Sequence, residues 1–473
     1  LGDVYKRQIM NSKIICLKDK YRSNPGWYWL LATVFLFPIL PEYVSPFILC
    51  TGFIVFKRQW TREGKKAKCG TLGKIMMGFM ALSVVSVLWS GTKFSSFSTA
   101  MLWWGMFLVE VMIYNLAVTR QKIDRILSAM VLSGALNGFV GAIQICTYTL
   151  YRFKYIPEKL VLTTPFYKNL DTLVYDILPF EISTNMWTTR ASGFFSNPNL
   201  LATYMIIVFP ISVYLFLNAK TGKQKLAYFF CNILISAGMS STMTRAGCFI
   251  AIFGWIFMFI FLAKKYAKPM LEILIPTIVV IIPSILTRYG LILKTVGKVS
   301  GGGSGGSEAR QSSAAHFQIW ESLINYLTSH LKAFFMGLGF GVEETGQVLL
   351  NEYDLSKPHA HNFVLETWME LGIIGVILFF VIIGCAFGKL LEINANNGKK
   401  FTLVFCVFTS MLTYLLFGLT DYIFNSPKQI ILLFILLGLT QAISYCYEKT
   451  LIKDSHTLKE VAVRDLQNTL HQH

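Results

Sequence analysis

Residues 198–218 read PNLLATYMIIVFPISVYLFLN, an apolar run without a charged side chain. An α-helix rises about 1.5 Å per residue, so a run of this length matches the roughly 30 Å hydrocarbon core of a bilayer. Comparable runs recur along most of the 473-residue chain, which is 54% hydrophobic and 14% charged. A soluble domain carries about 25% charged residues. The sequence therefore predicts an integral membrane protein.

The apolar runs are continuous, and this continuity predicts helices. Within lipid only helices and closed β-barrels satisfy every backbone hydrogen-bonding group, and barrel strands would read as alternating segments of about ten residues. We predict an all-α polytopic membrane protein with about twelve transmembrane helices. The predicted spans are 26–41, 43–57, 71–90, 98–118, 125–150, 198–218, 226–242, 246–263, 269–287, 361–387, 400–419 and 427–446. The first two are short and interrupted by prolines, so a shallow helical hairpin is the alternative there.

The net charge of +18 does not predict a nucleic-acid partner, because the basic residues concentrate in alternate loops. Of the 43 Lys and Arg residues, 29 fall on one side of the predicted bundle. Such a bias marks the cytoplasmic side of a membrane protein. It predicts that both termini are cytoplasmic and that two long loops face outward.

The predicted organisation has eight parts. Residues 1–9 lack an initiating Met, and Met10 reads as a natural start, so 1–9 are interpreted as a non-native leader. The other parts are a cytoplasmic tail (10–25), N-terminal helices (26–150), a first outer loop (151–197), central helices (198–287), a large outer loop (288–360), C-terminal helices (361–446) and a cytoplasmic tail (447–473). The large loop contains a flexible Gly/Ser tract at 301–307, which is either native or engineered.

Two arginines lie at the predicted outer ends of spans. Arg190 comes shortly before a helix whose cap and first turn are Asn197 and Pro198, and helix N-termini suit anions. Arg245 occupies a very short turn between two spans, where a charge is costly and generally has a partner or a function. The alternative for both is a snorkelling interfacial arginine.

Two histidines, His359 and His361, immediately precede the tenth span. Imidazole suits proton transfer because its pKa lies near ambient pH. A passive loop and a zinc site are the alternatives, and the zinc site is the less favoured because no third ligand follows at helical spacing. A proton-transfer role is therefore our preferred interpretation.

Acidic residues also fall at this predicted outer face. Glu366 and Glu370 share one face of the tenth span, and Arg245 is a candidate ion-pair partner for Glu370. A structural ion pair and a catalytic role are equally favoured. Asp421 lies between the last two spans and is weak evidence by itself. The stretch 337–341, GLGFG, lacks the strand-to-helix setting of a nucleotide site and instead predicts tight re-entry of the loop onto the membrane.

The stretches 190–202, 244–253, 337–341 and 359–375, in this order, resemble the O-antigen ligase and O-antigen polymerase superfamily of bacterial membrane glycosyltransferases. The resemblance implies transfer of a glycan from an undecaprenyl-pyrophosphate carrier to a glycan or lipid-linked acceptor. It implies action at the extracytoplasmic face of the bacterial plasma membrane, in lipopolysaccharide, capsule or exopolysaccharide synthesis. No cofactor and no metal are expected, since an arginine fork can neutralise the growing charge of the pyrophosphate without a metal.

The resemblance also assigns roles to the candidate residues. It implies that Arg190 and Arg245 hold the pyrophosphate and that a loop histidine activates the acceptor hydroxyl, with His361 preferred over His359. Family members often carry an arginine four residues before the loop tryptophan, where this chain has His316. Arg310, or protonated His316, is the expected substitute. The residues expected to support the site are Glu366, Glu370, Asp421, Asn197 and Asn199.

The main alternative is a transporter or flippase of lipid-linked oligosaccharides. Such a protein also needs cations for pyrophosphate, but it should carry charges at mid-membrane on several helices. The unusual charges in this sequence cluster at the outer ends of the spans, which favours the enzyme. Ligase and polymerase remain equally compatible with the sequence.

Overall fold

The computed structural model describes residues 23–42, 44–152, 154–155, 157, 190–299, 307–396 and 401–470. The predicted leader, most of the first outer loop, residues 301–306 of the Gly/Ser tract and the side chain of Arg310 lie outside this description. The described helices are α1 (Pro25–Leu36), α2 (Val44–Arg62), α3 (Thr71–Ser86), α4 (Lys93–Leu116), α5 (Arg120–Arg152), α6 (Pro198–Leu217), α7 (Gly222–Ser241), α8 (Arg245–Val299), α9 (Ser307–Ser329), α10 (Leu331–Met336), α11 (Val342–Tyr353), α12 (Phe363–Asn396), α13 (Phe401–Gly418) and α14 (Pro427–Leu470).

The prediction of a polytopic all-α membrane protein is confirmed. Seven helices of the described residues have the length and apolar composition that crossing a bilayer requires: α4, α5, α6, α8, α12, α13 and α14. Helices α1 and α3 are apolar but shorter. Every predicted span corresponds to a helical segment, whereas twelve complete crossings and cytoplasmic termini remain predictions.

Helix α8 contains two of the predicted spans. Its helical geometry breaks at Tyr266, where φ is −126° and ψ is 23°. The Ser240 hydroxyl at the end of α7 donates to the Val280 carbonyl (3.0 Å), and Lys225 near the start of α7 pairs with Glu272 (2.8 Å). Since Arg245 also lies next to the end of α7, the chain reverses at Tyr266 and forms two antiparallel segments, as the sequence predicted.

Helices α6 and α14 form the interior of the bundle. Of the most apolar stretch of α6, 94% is buried inside the protein, whereas for α8 the buried share is 33%. Helix α8, unlike α6, therefore lies at the periphery of the bundle. The C-terminal helices pack on earlier ones, since α14 lies along α4 and α13 along α6. Helices α9 to α11 share a smaller core with the start of α12, built around Leu323, Leu349 and Met369.

The stretch 337–341 enters the helical bundle. Leu338 N–H donates to the Met369 carbonyl (2.7 Å), and Gly339 N–H donates to the Glu370 carbonyl (3.1 Å). The Phe340 ring then packs at 5.4 Å from the ring of Trp103, which lies well inside α4. The stretch is therefore inserted between helices and fixes α9 to α11 to the bundle. Its re-entry onto the membrane stays a prediction.

Two glycines permit this insertion. Gly337 has φ +72° and Gly372 has φ +68°, a region that side chains with a Cβ rarely adopt. A Cβ on Gly337 would collide with the backbone of Glu370, and one on Gly372 with the carbonyl of Phe335. The break in α12 at Gly372 thus makes room for the inserted loop.

Replacing Gly337 by alanine is expected to destabilise the protein by about 1–3 kcal/mol, because the backbone is strained and the methyl group has no space. Gly384→Ala is the matched control, since Gly384 lies in the same helix α12 as Gly372 with no neighbour within 4 Å. Thermal unfolding in detergent measures both variants. Equal unfolding temperatures for the two variants would contradict this account of the loop.

Candidate functional site

Arg190 connects the start of α6 to the turn between α7 and α8. Its Nε donates to the Thr242 carbonyl (2.9 Å), and one terminal nitrogen donates to Asn199 Oδ1 (2.5 Å) and to Thr244 Oγ1 (2.9 Å). These bonds fix the guanidinium within a few residues of Arg245. The two arginines predicted from the sequence therefore lie at the same end of the bundle.

The start of α6 forms as predicted. Asn197 is the N-cap, its Oδ1 accepts from Asn199 N–H (2.6 Å), and Pro198 occupies the first turn. The cap uses only the backbone N–H of Asn199. Its side-chain Nδ2 donates to Asp421 Oδ2 (2.7 Å). Asn199 thus joins Arg190 to the acidic residue between α13 and α14.

Asp421 is central to this site. Its second carboxylate oxygen, Oδ1, lies 2.9 Å from His361 Nδ1. Burial raises the pKa of Asp421, but the hydrogen bond from His361 and the electrostatic interactions with His361 and His359 lower it more, so that pKa lies below its usual value. An ionised Asp421 accepts only, so Nδ1 of His361 carries the hydrogen, and in the neutral form of the ring Nε2 is the acceptor.

His361 lies between two other imidazoles. Its ring stacks on that of His316 with centroids 4.6 Å apart and an interplanar angle of 12°, and the His359 ring centroid is 4.2 Å away. The pKa of His316 is lowered by burial and then by the charge of His361, while Asp421 opposes this. A lowered pKa favours neutral His316 near pH 7, which makes it a weaker cation than the arginine it replaces.

His359 is buried beneath His361. Its Nδ1 accepts a hydrogen bond from His361 N–H (3.3 Å), and burial, followed by the charge of His361, lowers its pKa to about 3. A side chain with so low a pKa stays neutral near pH 7 and accepts a proton poorly. Of the two predicted candidates for a base, His361 is the better placed.

A cavity of about 440 Å³ opens at this end of the bundle. Its lining combines cationic, polar and aromatic side chains: Arg190, Asn199, Met243, Thr244, Arg245, Ala246, Phe249, His316, Phe417, Thr420 and Asp421. Arg245 is exposed here and, among the residues that the structure describes, forms no ion pair. The guanidinium is therefore available to an anionic ligand.

The two buried glutamates of α12 have partners other than the predicted arginine. Glu370 Oε1 accepts from the Tyr422 hydroxyl (3.0 Å), and Glu366 Oε2 accepts from Ala360 N–H (2.6 Å). The expected pair of Glu370 with Arg245 is not formed within the described part of the chain. The turn after α13 supplies Tyr422 instead, a partner that spacing along α12 does not reveal.

Asp421, which is distant in the sequence, lies close enough to His359 and His361 to act with them as a third metal ligand. His359, His361 and Asp421 each offer a donor atom within 4.8 Å of the others. These three residues are those in the described chain that could hold a metal ion. In the structure Asp421 Oδ1 accepts from His361 Nδ1, and His361 N–H donates to His359 Nδ1.

Two charged residues missed by the sequence analysis support the turn before α6. The Glu42 carboxylate accepts from the hydroxyls of Ser196 (2.6 Å) and Ser426 (2.8 Å). The buried Lys428 ammonium donates to the Phe194 carbonyl (2.6 Å). The sequence signal for the role of Lys428 is the rarity of a lysine at the start of an apolar helix, because lysine is almost never fully buried without a partner.

Residues 230–380 match the sequence model of a family described as O-Antigen ligase. The match confirms the resemblance to the O-antigen ligase and polymerase superfamily. It includes Arg245, His316 and the segment from His359 to Glu370, whereas Arg190 and Asp421 lie outside the matched range. No curated protein matches the chain.

Proposed function

We propose, from the O-antigen ligase match and the geometry of the cavity, that this membrane protein is a glycosyltransferase of the ligase or polymerase type. It moves a glycan from an undecaprenyl-pyrophosphate carrier to a glycan or lipid-linked acceptor. The reaction takes place at the extracytoplasmic face of the bacterial plasma membrane and contributes to a surface polysaccharide. One observation carries the proposal: Arg190, Arg245 and Asp421 line one cavity, and Asp421 accepts a hydrogen bond from His361.

The arginines stabilise the leaving group, the pyrophosphate. When the bond between the anomeric carbon and the phosphate oxygen breaks, negative charge grows on the pyrophosphate. A guanidinium neutralises this charge with two parallel N–H donors. At ~4 Å and an effective dielectric constant near 20, one such contact is worth on the order of 4 kcal/mol. Arg190 is already oriented by Thr242, Asn199 and Thr244, so little side-chain entropy remains to be lost on binding.

His361 serves the acceptor. As the acceptor oxygen forms its bond to the anomeric carbon, His361 Nε2 takes the hydroxyl proton. The Asp421 carboxylate accepts a hydrogen bond from Nδ1–H and stabilises the imidazolium that results. The electron pair of the broken bond leaves with the pyrophosphate, so this scheme needs no cofactor. Asp421 acts through His361 and is a positioning residue.

The experiment that tests the function is deletion of the gene followed by sizing of the cell's glycans. Single unpolymerised repeats would show a polymerase, and full-length chains left on the lipid carrier would show a ligase. Unchanged surface glycans, or lipid-linked sugar trapped on the cytoplasmic side, would contradict the proposal. The second of these results is the one that a flippase predicts.

A further inference from the structure

The backbone around His361 is bonded to three side chains. Ala360 N–H donates to Glu366 Oε2 (2.6 Å), and the Ala360 carbonyl accepts from Trp320 Nε1 (2.8 Å). The next amide, His361 N–H, donates to His359 Nδ1 (3.3 Å). Three consecutive backbone groups are therefore fixed by side chains from α9, from α12 and from the loop itself.

His361 itself has a backbone conformation that needs such support. Its φ is +51°, a left-handed conformation that is uncommon for residues other than glycine. Conformations of this kind persist where the surrounding structure fixes them, and they concentrate at functional sites. In this conformation the His361 ring reaches Asp421 and stacks on His316.

We propose that Trp320, Glu366 and His359 form a backbone clamp that holds His361 in its left-handed conformation and thereby directs its imidazole to Asp421. All three act through the backbone of residues 360 and 361 and not on the substrate, so they are positioning residues. The inference rests on the proposed function, in which His361 is the base. In this proposal His359 supports His361. The proposal also explains why a buried glutamate, Glu366, occurs in an apolar helix.

Trp320→Phe tests the clamp, because it removes the indole N–H and keeps an aromatic ring. Trp368→Phe is the matched control, since Trp368 Nε1 makes the same kind of bond to the Phe334 carbonyl (3.0 Å) away from His361. The probe is the lipid-linked glycan extracted from cells that lack the protein, supplied to the purified full-length chain in liposomes. We expect kcat to fall roughly ten- to hundredfold in Trp320→Phe, with the KM for the donor unchanged, because a small misplacement of a base is costly.

Two further measurements separate positioning from a general loss of structure. Glu366→Gln keeps an acceptor oxygen for Ala360 N–H, so it should retain several-fold more activity than Glu366→Leu. The pH at which kcat/KM is half-maximal should shift in Trp320→Phe, since the His361–Asp421 bond is weakened, and should not shift in Trp368→Phe. Unfolding temperatures identify variants that fail to fold. If Trp320→Phe is one of them, the comparison of Glu366→Gln with Glu366→Leu tests the clamp.

Wild-type kcat and an unchanged pH profile in both Trp320→Phe and Glu366→Leu would overturn the clamp. If His361→Ala is inactive in the same assay, the base assignment survives that result. Wild-type turnover in His361→Ala would instead remove the base from the proposed function. The two failures are therefore distinguishable.

Discussion

Turnover in a His361→Ala variant is expected to fall by roughly 10²–10⁴-fold, the usual contribution of a positioned general base. The acceptor hydroxyl would lose the group that takes its proton, while both arginines would remain to bind the donor. Donor affinity should therefore change little. The measurement is kcat and KM with the extracted lipid-linked glycan, together with the amount of protein inserted into the membrane.

Because His361 has φ +51°, alanine at this position also carries backbone strain. His361→Asn is the companion variant, since asparagine tolerates the left-handed region and has no basic nitrogen. Equal losses in the two variants would assign the effect to the imidazole. Normal turnover in His361→Asn would remove His361 from the mechanism.

Replacing Arg245 by alanine is expected to lower kcat/KM for the donor by about 10²–10³-fold, in the range found when one preorganised donor to a developing negative charge is removed. Arg245→Lys should also be poor, because an ammonium is a point charge and cannot make two parallel hydrogen bonds to a phosphate. Steady-state kinetics and direct binding of the lipid-linked glycan measure both variants.

Arg58→Ala is the control for Arg245, since Arg58 is an exposed arginine of α2 that does not line the cavity. The control changes net charge equally and should keep wild-type kinetics. Normal donor binding and turnover in Arg245→Ala would count against a pyrophosphate site in this cavity. A loss confined to Arg245→Ala, with Arg245→Lys normal, would show that charge alone suffices.

The sequence predicted the features that depend on local order along the chain. The length and continuity of apolar runs predicted the helices, and the Asn197–Pro198 pair predicted the cap of α6. The order of spans and basic loops along the chain predicted that Arg190 and Arg245 would lie at the same face. Each of these inferences uses residues that are close in sequence, where spacing and propensity decide the structure.

The features that the sequence did not predict are contacts between distant segments. Asp421 and His361 are 60 positions apart, and nothing in the local pattern around Asp421 separates it from an ordinary outer turn. Glu370 was expected to meet Arg245 and instead accepts from Tyr422. The bonds to Ala360 involve backbone groups, which have no signature in a sequence. The catalytic and binding roles of the individual residues remain predictions for the variants above.

The polar groups at the cavity come from separate parts of the chain, so a single excised segment does not contain all of them. The range matched by the O-antigen ligase family carries Arg245, His316 and His361 but neither Arg190 nor Asp421. An excised piece covering only that range would lack one of the two guanidinium groups and the partner of the imidazole. On the proposed mechanism the active unit must include Arg190 and Asp421 as well as the matched range. A chain cut between these two residues should therefore regain function only when both fragments are expressed together.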